Sequence, residues 1–217
     1  MNNNIIGKLA ICACRWRGFV ADDKVRELQE KAEAEGLEVK VVDDLCSLVQ
    51  DDNHDGLSFL SGATVAACHE RAVRSLLAWR GLQPARVIDI RDNGLVGTGS
   101  SPLVPGSDAW YPVIDKDRCT ECGMCLDFCP FGVYEWVDDR VRVVHPVSCK
   151  NNCPACARNC PSEAIIFPKY EHSPINGGVE REEQALRVDH STLYADAFRT
   201  RLMERRKFGT PLFKKEK

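Results

Sequence analysis

The sequence lacks the features of a membrane-spanning or secreted protein. None of its apolar runs approaches the roughly 20 residues that a transmembrane helix needs. The N-terminus also lacks the positively charged segment and continuous apolar stretch of a signal peptide. We therefore expect a cytoplasmic protein without membrane insertion.

An excess of charge is also missing, and so are the motifs of common cofactor and hydrolase sites. With 29 basic and 32 acidic residues the formal net charge is −3, which argues against nucleic-acid binding. The chain contains no G-x-G-x-x-G motif, so flavin or nicotinamide binding is not supported. The five histidines show no metal-ligand spacing, and we recognise no Ser-His-Asp or paired-carboxylate arrangement. No catalytic residue is predicted.

Cysteine, by contrast, is abundant, with twelve in 217 residues. In a reducing cytosol, many cysteines indicate metal binding or catalysis more often than disulfides. Eight of them lie between Cys119 and Cys160, and a stretch rich in Gly, Ser and Pro separates these from the other four. We divide the chain into an α/β cysteine-bearing domain (1–92), a linker (93–112), a cluster domain (113–170), and an extended strap with a C-terminal helix (171–217).

Residues 1–92 alternate the patterns of strands and amphipathic helices, which predicts βαβ units and a small parallel sheet. Asp22 is a plausible N-cap of the first helix and Gly36 its C′ residue, and the segment after the second strand is predicted to be a loop that includes a short helix near GLSFL. The four predicted strands are 7–12, 37–42, 63–68 and 85–90.

The four N-terminal cysteines all lie near the ends of predicted strands. Cys12 and Cys14 follow the first strand, Cys46 follows the second, and Cys68 ends the third, just before a helix that should lower its pKa. The ends of parallel strands meet at one edge, where open α/β sheets bind ligands. We favour a third [4Fe-4S] cluster here over buried unligated thiols; a strained Cys12–Cys14 disulfide is a further alternative.

The strongest motif is CTECGMCLDFCP, in which Cys119, Cys122, Cys125 and Cys129 are separated by two, two and three residues and followed by proline. This is the run that holds cubane clusters in bacterial ferredoxins. A second run, CKNNCPACARNCP, has one extra residue in its first gap and contains Cys149, Cys153, Cys156 and Cys160. Structural zinc is the alternative, but zinc usually takes its four ligands as two pairs.

Residues 113–170 resemble the bacterial-type two-[4Fe-4S] ferredoxins, in which each run gives its last cysteine to the other cluster. The resemblance implies an α+β fold and two crossed ligand sets. A strand in YPVID, a hairpin turning at Asp138-Asp139 and a last strand in AIIFPKY agree with it. One implied set is Cys119, Cys122, Cys125 and Cys160; the other is Cys149, Cys153, Cys156 and Cys129.

Roughly the first ninety residues resemble the N-terminal module of the flavin-bearing heterodisulfide reductase chain, through the segments CAC, LCS and AAC. That resemblance implies a small α/β domain that carries an iron–sulfur cluster. The large flavin domain of that family has no counterpart here.

These features predict an iron–sulfur electron-transfer protein, the non-catalytic ferredoxin-type subunit of an oxidoreductase complex with a catalytic partner. A free-standing carrier is one alternative, and a redox enzyme or sensor using the N-terminal cysteines is another. Four aromatic residues either shield clusters from water or belong to the core: Trp16, Phe128, Phe131 and Trp136. A helix over 193–207 either docks a partner or packs on its own domain.

Overall fold

The computed structural model describes residues 7–15, 17–51, 54–91 and 109–179. The predicted C-terminal helix, most of the predicted linker and Trp16 lie outside the described residues. None of the helices in the described part of the chain has the length and apolar composition that a bilayer crossing requires.

The N-terminal region is a parallel sheet with helices, which confirms the small parallel sheet predicted there. The sheet order is β2-β1-β3-β4, and every neighbouring pair is parallel. Its strands are β1 (Lys8–Cys12), β2 (Glu38–Val42), β3 (Thr64–Ala67) and β4 (Arg86–Asp89). Its helices are α1 (Asp22–Ala34), α2 (Leu45–Gln50), α3 (His54–Ser58) and α4 (Glu70–Trp79).

Two local predictions for this region are wrong. Asp22 is the first residue of α1, and the N-cap is Ala21. The Asp22 carboxylate therefore lies in the first turn, where its negative charge interacts favourably with the helix dipole. The predicted loop after β2 contains α2, whose N-cap Asp44 accepts a hydrogen bond from the Ser47 amide at 2.8 Å. A six-residue helix is too short to show helical periodicity in the sequence.

The two faces of the sheet are covered by different helices, because successive side chains of a strand point to opposite faces. On one face Leu9 and Ile11 pack with α1, and on the other Ala10 and Cys12 pack with α2 and α4. The chain leaves β1 for β2 on one side and returns to β3 on the other. The crevice between the ends of β1 and β3 is therefore the topological switch point, where such sheets bind ligands.

The cysteine-rich region has two short antiparallel pairs of strands. The strand β5 (Val113–Ile114) pairs with β8 (Ile165–Ile166), and β6 (Tyr134–Val137) forms a hairpin with β7 (Arg140–Val143). The hairpin turns at Asp138 and Asp139, both with positive φ, as a type I′ turn requires. Two short helices carry cysteines: α5 (Met124–Phe128) and α6 (Ala155–Arg158).

The two regions share one hydrophobic core and belong to one compact unit, residues Met1–Glu183. Tyr111, which lies in the segment predicted as linker, is 2% exposed and packs with residues of the sheet and of α4. The centroid of its ring lies 5.4 Å from the centroid of the Trp79 ring. Arg71 of α4 forms an ion pair with Asp115, in which Nε and Oδ2 are 3.1 Å apart. Helix α4 is thus covered by the start of the cysteine-rich region.

After β8 the chain folds back over the start of α4. The Ile175 carbonyl accepts a hydrogen bond from the Phe167 amide at 2.8 Å, and Asn176 is buried. Gly177 has φ +93°, and a Cβ there would lie 2.8 Å from the Ala72 Cβ and 2.9 Å from its amide nitrogen. Only glycine allows the backbone to approach the helix this closely. We call the described residues 171–179 the strap.

Candidate metal centres

The four N-terminal cysteines line a single cavity at the switch point of the sheet. Cys12 ends β1, Cys14 follows it, Cys46 lies in the first turn of α2, and Cys68 follows β3. Three separate segments thus bring their thiols together, as the sequence predicted. The rest of the wall is apolar except for three charged side chains, Asp44, Arg91 and Lys169.

The backbone around Cys12 and Cys14 is specialised. Cys14 has φ +46°, an uncommon conformation for a residue other than glycine and one that is enriched at functional sites. The Leu45 amide donates a hydrogen bond to the Cys12 sulfur at 3.3 Å. Such amide–sulfur bonds tune iron–sulfur centres by stabilising negative charge on the ligands.

Burial controls the protonation of these thiols. It raises the pKa of Cys68 to about 12 and that of Cys46 well above its usual value, and nearby acidic groups add to both shifts. A hydrogen bond between Cys12 and Cys14 raises the pKa of Cys14 and lowers that of Cys12. The prediction that a helix N-terminus lowers the pKa of Cys68 is wrong, because desolvation outweighs the helix dipole.

Two ion pairs border this cavity. Lys169 Nζ lies 2.8 Å from Asp44 Oδ2, and both side chains are 3% exposed. Arg91 Nη2 lies 3.0 Å from Asp89 Oδ2 and 2.7 Å from His69 Nδ1. Sequence reasoning missed Lys169; its only signal is a lysine at the end of the apolar run AIIFPKY.

In the cysteine-rich region, a second cavity brings together cysteines from both runs. Cys129, the last of the first run, lines it with Cys149, Cys153 and Cys156. The Tyr134 hydroxyl donates a hydrogen bond to the Cys156 sulfur at 3.1 Å inside this buried cluster. The ferredoxin resemblance assigned the same four cysteines to one cluster, and that assignment stays a prediction.

The remaining cysteine of the second run, Cys160, interacts electrostatically with two cysteines of the first run. Burial is the main cause of the raised pKa of Cys119 and of Cys125, and Cys160 adds to both shifts, although Cys156 adds more to that of Cys125. Cys122 is exposed. The Ala164 amide donates to the Cys160 sulfur at 3.4 Å, a second amide–sulfur contact.

The two runs are related by an approximate internal repeat. Glu121, just before Cys122, and Asn152, just before Cys153, have φ of 53° and 56°. Each is followed by a short helix that carries the third cysteine of its run. The second loop keeps the positive φ at Asn152, so its extra residue lies between Cys149 and Asn152.

The donor set fits iron–sulfur clusters. All twelve cysteines are free thiols. Within the described residues, no three His, Cys, Asp or Glu side chains converge tightly enough to hold one metal ion. Sulfurs around a zinc ion lie about 4 Å apart, because each Zn–S bond is about 2.3 Å, whereas a cubane binds each thiolate at a separate iron.

The aromatic residues near the two runs are not core residues. Phe128 and Phe131 are each 43% exposed and Trp136 is 51% exposed, so the alternative that they belong to the core is wrong. The first two border the second cavity, and the Trp136 ring lies next to Gly123 in the first loop, where a Cβ would be 3.1 Å from it. Met124, at 40% exposed, is a fourth exposed apolar residue of this region.

Comparison with known proteins places residues 112–135 in the 4Fe-4S binding domain family. An uncharacterised ferredoxin of Methanocaldococcus jannaschii is 49% identical over 61 residues, 28% of this chain and 42% of that protein. Ferredoxin-3 of a Nostoc species is 35% identical over 95 residues, 34% of this chain and 92% of that protein. The delta subunit of NADH-dependent phenylglyoxylate dehydrogenase from Aromatoleum evansii is 35% identical over 71 residues, which are 30% of this chain and 70% of that subunit.

Proposed function

Because this chain belongs to the 4Fe-4S ferredoxin family, we propose that it is the electron-transfer subunit of a larger oxidoreductase. The observation that carries the proposal is the grouping of Cys129 with Cys149, Cys153 and Cys156 in one cavity. When bound, [4Fe-4S] clusters supply one-electron redox chemistry, and the chain sets their potential by hydrogen bonds, charge and burial.

We assign two clusters to the cysteine-rich region. Both assignments follow the crossed pattern of the two-cluster ferredoxins. The first ligand set is Cys119, Cys122, Cys125 and Cys160, and the second is Cys149, Cys153, Cys156 and Cys129.

A third [4Fe-4S] cluster, held by Cys12, Cys14, Cys46 and Cys68, is part of the proposal, together with the likeness to the heterodisulfide reductase module. Its support is the convergence of the four thiols at the switch point. Burial raises the pKa of Cys46 and Cys68, and a bound cluster would displace their protons.

We propose that the partner is a protein that covers exposed apolar side chains of the cysteine-rich region, which are Met124, Phe128, Phe131 and Trp136. Exposed carboxylates of Asp127, Asp138 and Asp139 lie in or next to the same elements, so we expect basic residues around the partner's contact surface. One relative is named as a subunit of a dehydrogenase, which favours a complex over a free carrier. The free thiols suit a reducing compartment, and we propose the cytoplasm.

Iron analysis of anaerobically purified full-length protein tests the cluster assignment. We expect about twelve irons per chain, about four for each of three clusters. Replacing Cys46 with Ala should remove up to about four irons and leave the ferredoxin pair. About eight irons in the unaltered protein, with the N-terminal thiols open to alkylation, would leave two clusters and refute the third.

Affinity purification from the native host tests the partner. The unaltered protein should co-purify with a catalytic subunit, and Trp136→Glu should lose it while keeping all iron. A monomeric protein that carries its full iron and brings down no subunit would favour the free carrier.

A further inference from the structure

The cavity that holds the N-terminal thiols also holds two buried opposite charges. Lys169 and Asp44 both line it, and each side chain is 3% exposed. Charges withdrawn from water in this way are weakly screened, so each acts strongly on its surroundings. The two residues reach the cavity from different regions: Asp44 precedes α2, and Lys169 follows β8.

Both charges are held in fixed positions. Asp44 is the N-cap of α2, and its other carboxylate oxygen accepts from the Ser47 amide at 2.8 Å. Lys169 lies in a tight turn in which the Tyr170 amide donates to the Phe167 carbonyl at 2.9 Å. Helix α2 also carries Cys46, so the carboxylate and this thiol belong to one rigid element.

Both charged side chains and the Cys46 thiol line the same cavity. The fields of the two charges therefore act on any negative charge that this cavity holds. Added stability is a weak reason for such a pair, because the desolvation of two ions offsets their attraction.

We propose that the Lys169–Asp44 pair sets the reduction potential of the N-terminal centre, with Lys169 supplied to it by the ferredoxin region. This rests on the third cluster of the proposed function. Reduction adds one negative charge, which the Lys169 ammonium stabilises and the Asp44 carboxylate opposes. Lys169 therefore raises the potential, and Asp44 lowers it.

Redox titration of the anaerobic full-length protein, followed by electron paramagnetic resonance, tests this after iron analysis. Lys169→Met should shift the N-terminal potential downward, and Asp44→Asn, which keeps the N-cap acceptor, should shift it upward. The double variant should return near the unaltered value, and Lys169→Arg should stay close to it. If the ion pair only stabilised the fold, Lys169→Met and Asp44→Asn would not shift the reduction potential in opposite directions.

Lys116→Met is the matched control, because it removes the same charge from an exposed lysine that contacts the Ala78 carbonyl. We expect no shift from it, and none in the two ferredoxin clusters from any variant at Lys169. If Lys169→Met loses the N-terminal cluster, the upward shift of Asp44→Asn still decides the matter. About twelve irons with unmoved potentials would overturn this inference alone, whereas about eight irons in the unaltered protein would overturn the third cluster as well.

Discussion

At the scale of single residues, the second cavity contains a hydroxyl that contacts a thiol. Tyr134 is 5% exposed and donates to the Cys156 sulfur at 3.1 Å. A hydrogen bond to a ligand sulfur stabilises the more negative, reduced form of a cluster. Tyr134→Phe should therefore lower the potential of the cluster assigned to Cys149, Cys153, Cys156 and Cys129, as redox titration would measure.

The matched control for this prediction is Tyr170→Phe. The Tyr170 hydroxyl accepts a hydrogen bond from Arg158 at 2.7 Å and does not bond a thiol. We expect no change of potential from this variant and the full iron content in both. Equal shifts in the two variants would mean that the Tyr134 hydroxyl has no specific effect.

The crossed ligand sets lead to a second prediction about one residue. Cys129 belongs to the first run in sequence but lines the cavity of the second. Cys129→Ala should therefore damage the cluster that also uses Cys149, Cys153 and Cys156. Cys122→Ala is the comparison, because it should damage the other cluster. Paramagnetic resonance spectra in which Cys129→Ala and Cys122→Ala affect the same cluster would contradict the crossed assignment.

Cysteine positions could be predicted from the sequence far better than the groups around them. Spacing identified the two runs of four cysteines, and the ferredoxin resemblance implied their crossed ligand sets. The strand pattern predicted that Cys12, Cys14, Cys46 and Cys68 meet at one edge of the sheet. Lys169 and Tyr134 could not be found in this way, because each meets its thiols through a contact distant in sequence. The pKa of Cys68 was predicted with the wrong sign because burial depth is not visible in a local pattern.

At the scale of elements, the strap is fixed to α4 by a glycine. A Cβ at Gly177 would lie under 3 Å from backbone and side-chain atoms of Ala72, and φ there is +93°. Gly177→Ala should therefore push the strap off the helix and lower the thermal unfolding midpoint. Gly132→Ala is the control, because φ is +64° there but a Cβ meets open space.

The control should cost only the strain of a positive φ, about 1 kcal/mol, and Gly177→Ala should cost clearly more. Calorimetry measures the difference, and limited proteolysis should cut within 171–179 in the first variant alone. Equal unfolding midpoints in the two variants would show that the strap adds nothing to the stability of α4.

Strong patterns in the sequence predicted the longer elements. Of the two short helices between β2 and β3, the sequence predicted the one near GLSFL, which is α3, and missed α2. The strands of the parallel sheet, α1 and α4 follow their apolar periodicity closely. Helix α2 was missed because its six residues give fewer than two turns, and because its formation depends on the Asp44 cap and on burial of Leu45 and Val49. The hairpin was recognised by its Asp-Asp turn.

At the scale of the whole molecule, the hydrophobic core of the α/β region includes residues of the cysteine-rich region. Tyr111 and Val113 complete the core on α4, and the Tyr111 hydroxyl donates to the Cys46 carbonyl at 2.7 Å. Lys169 neutralises the buried Asp44 from the far end of the cysteine-rich region. The predicted boundary near residue 92 stays a prediction, but the packing indicates that the two regions depend on each other.

We therefore expect a fragment of residues 1–91 not to fold cooperatively. The fragment lacks Tyr111 and Val113, which complete the apolar core on α4, and Lys169, which pairs with Asp44. Without them the apolar face of α4 is exposed to water and the Asp44 carboxylate has lost its ion-pair partner. These losses are large against the total stability of a typical domain, about 5–15 kcal/mol.

A fragment of residues 1–183, which spans the compact unit, is the control and should unfold cooperatively with its iron bound. Circular dichroism during heating, on both fragments prepared anaerobically, measures the difference. A fragment 1–91 that melts within a few degrees of the longer one would refute the shared core as a source of stability. Loss of iron from 1–183 would instead show that residues after 183 support the clusters.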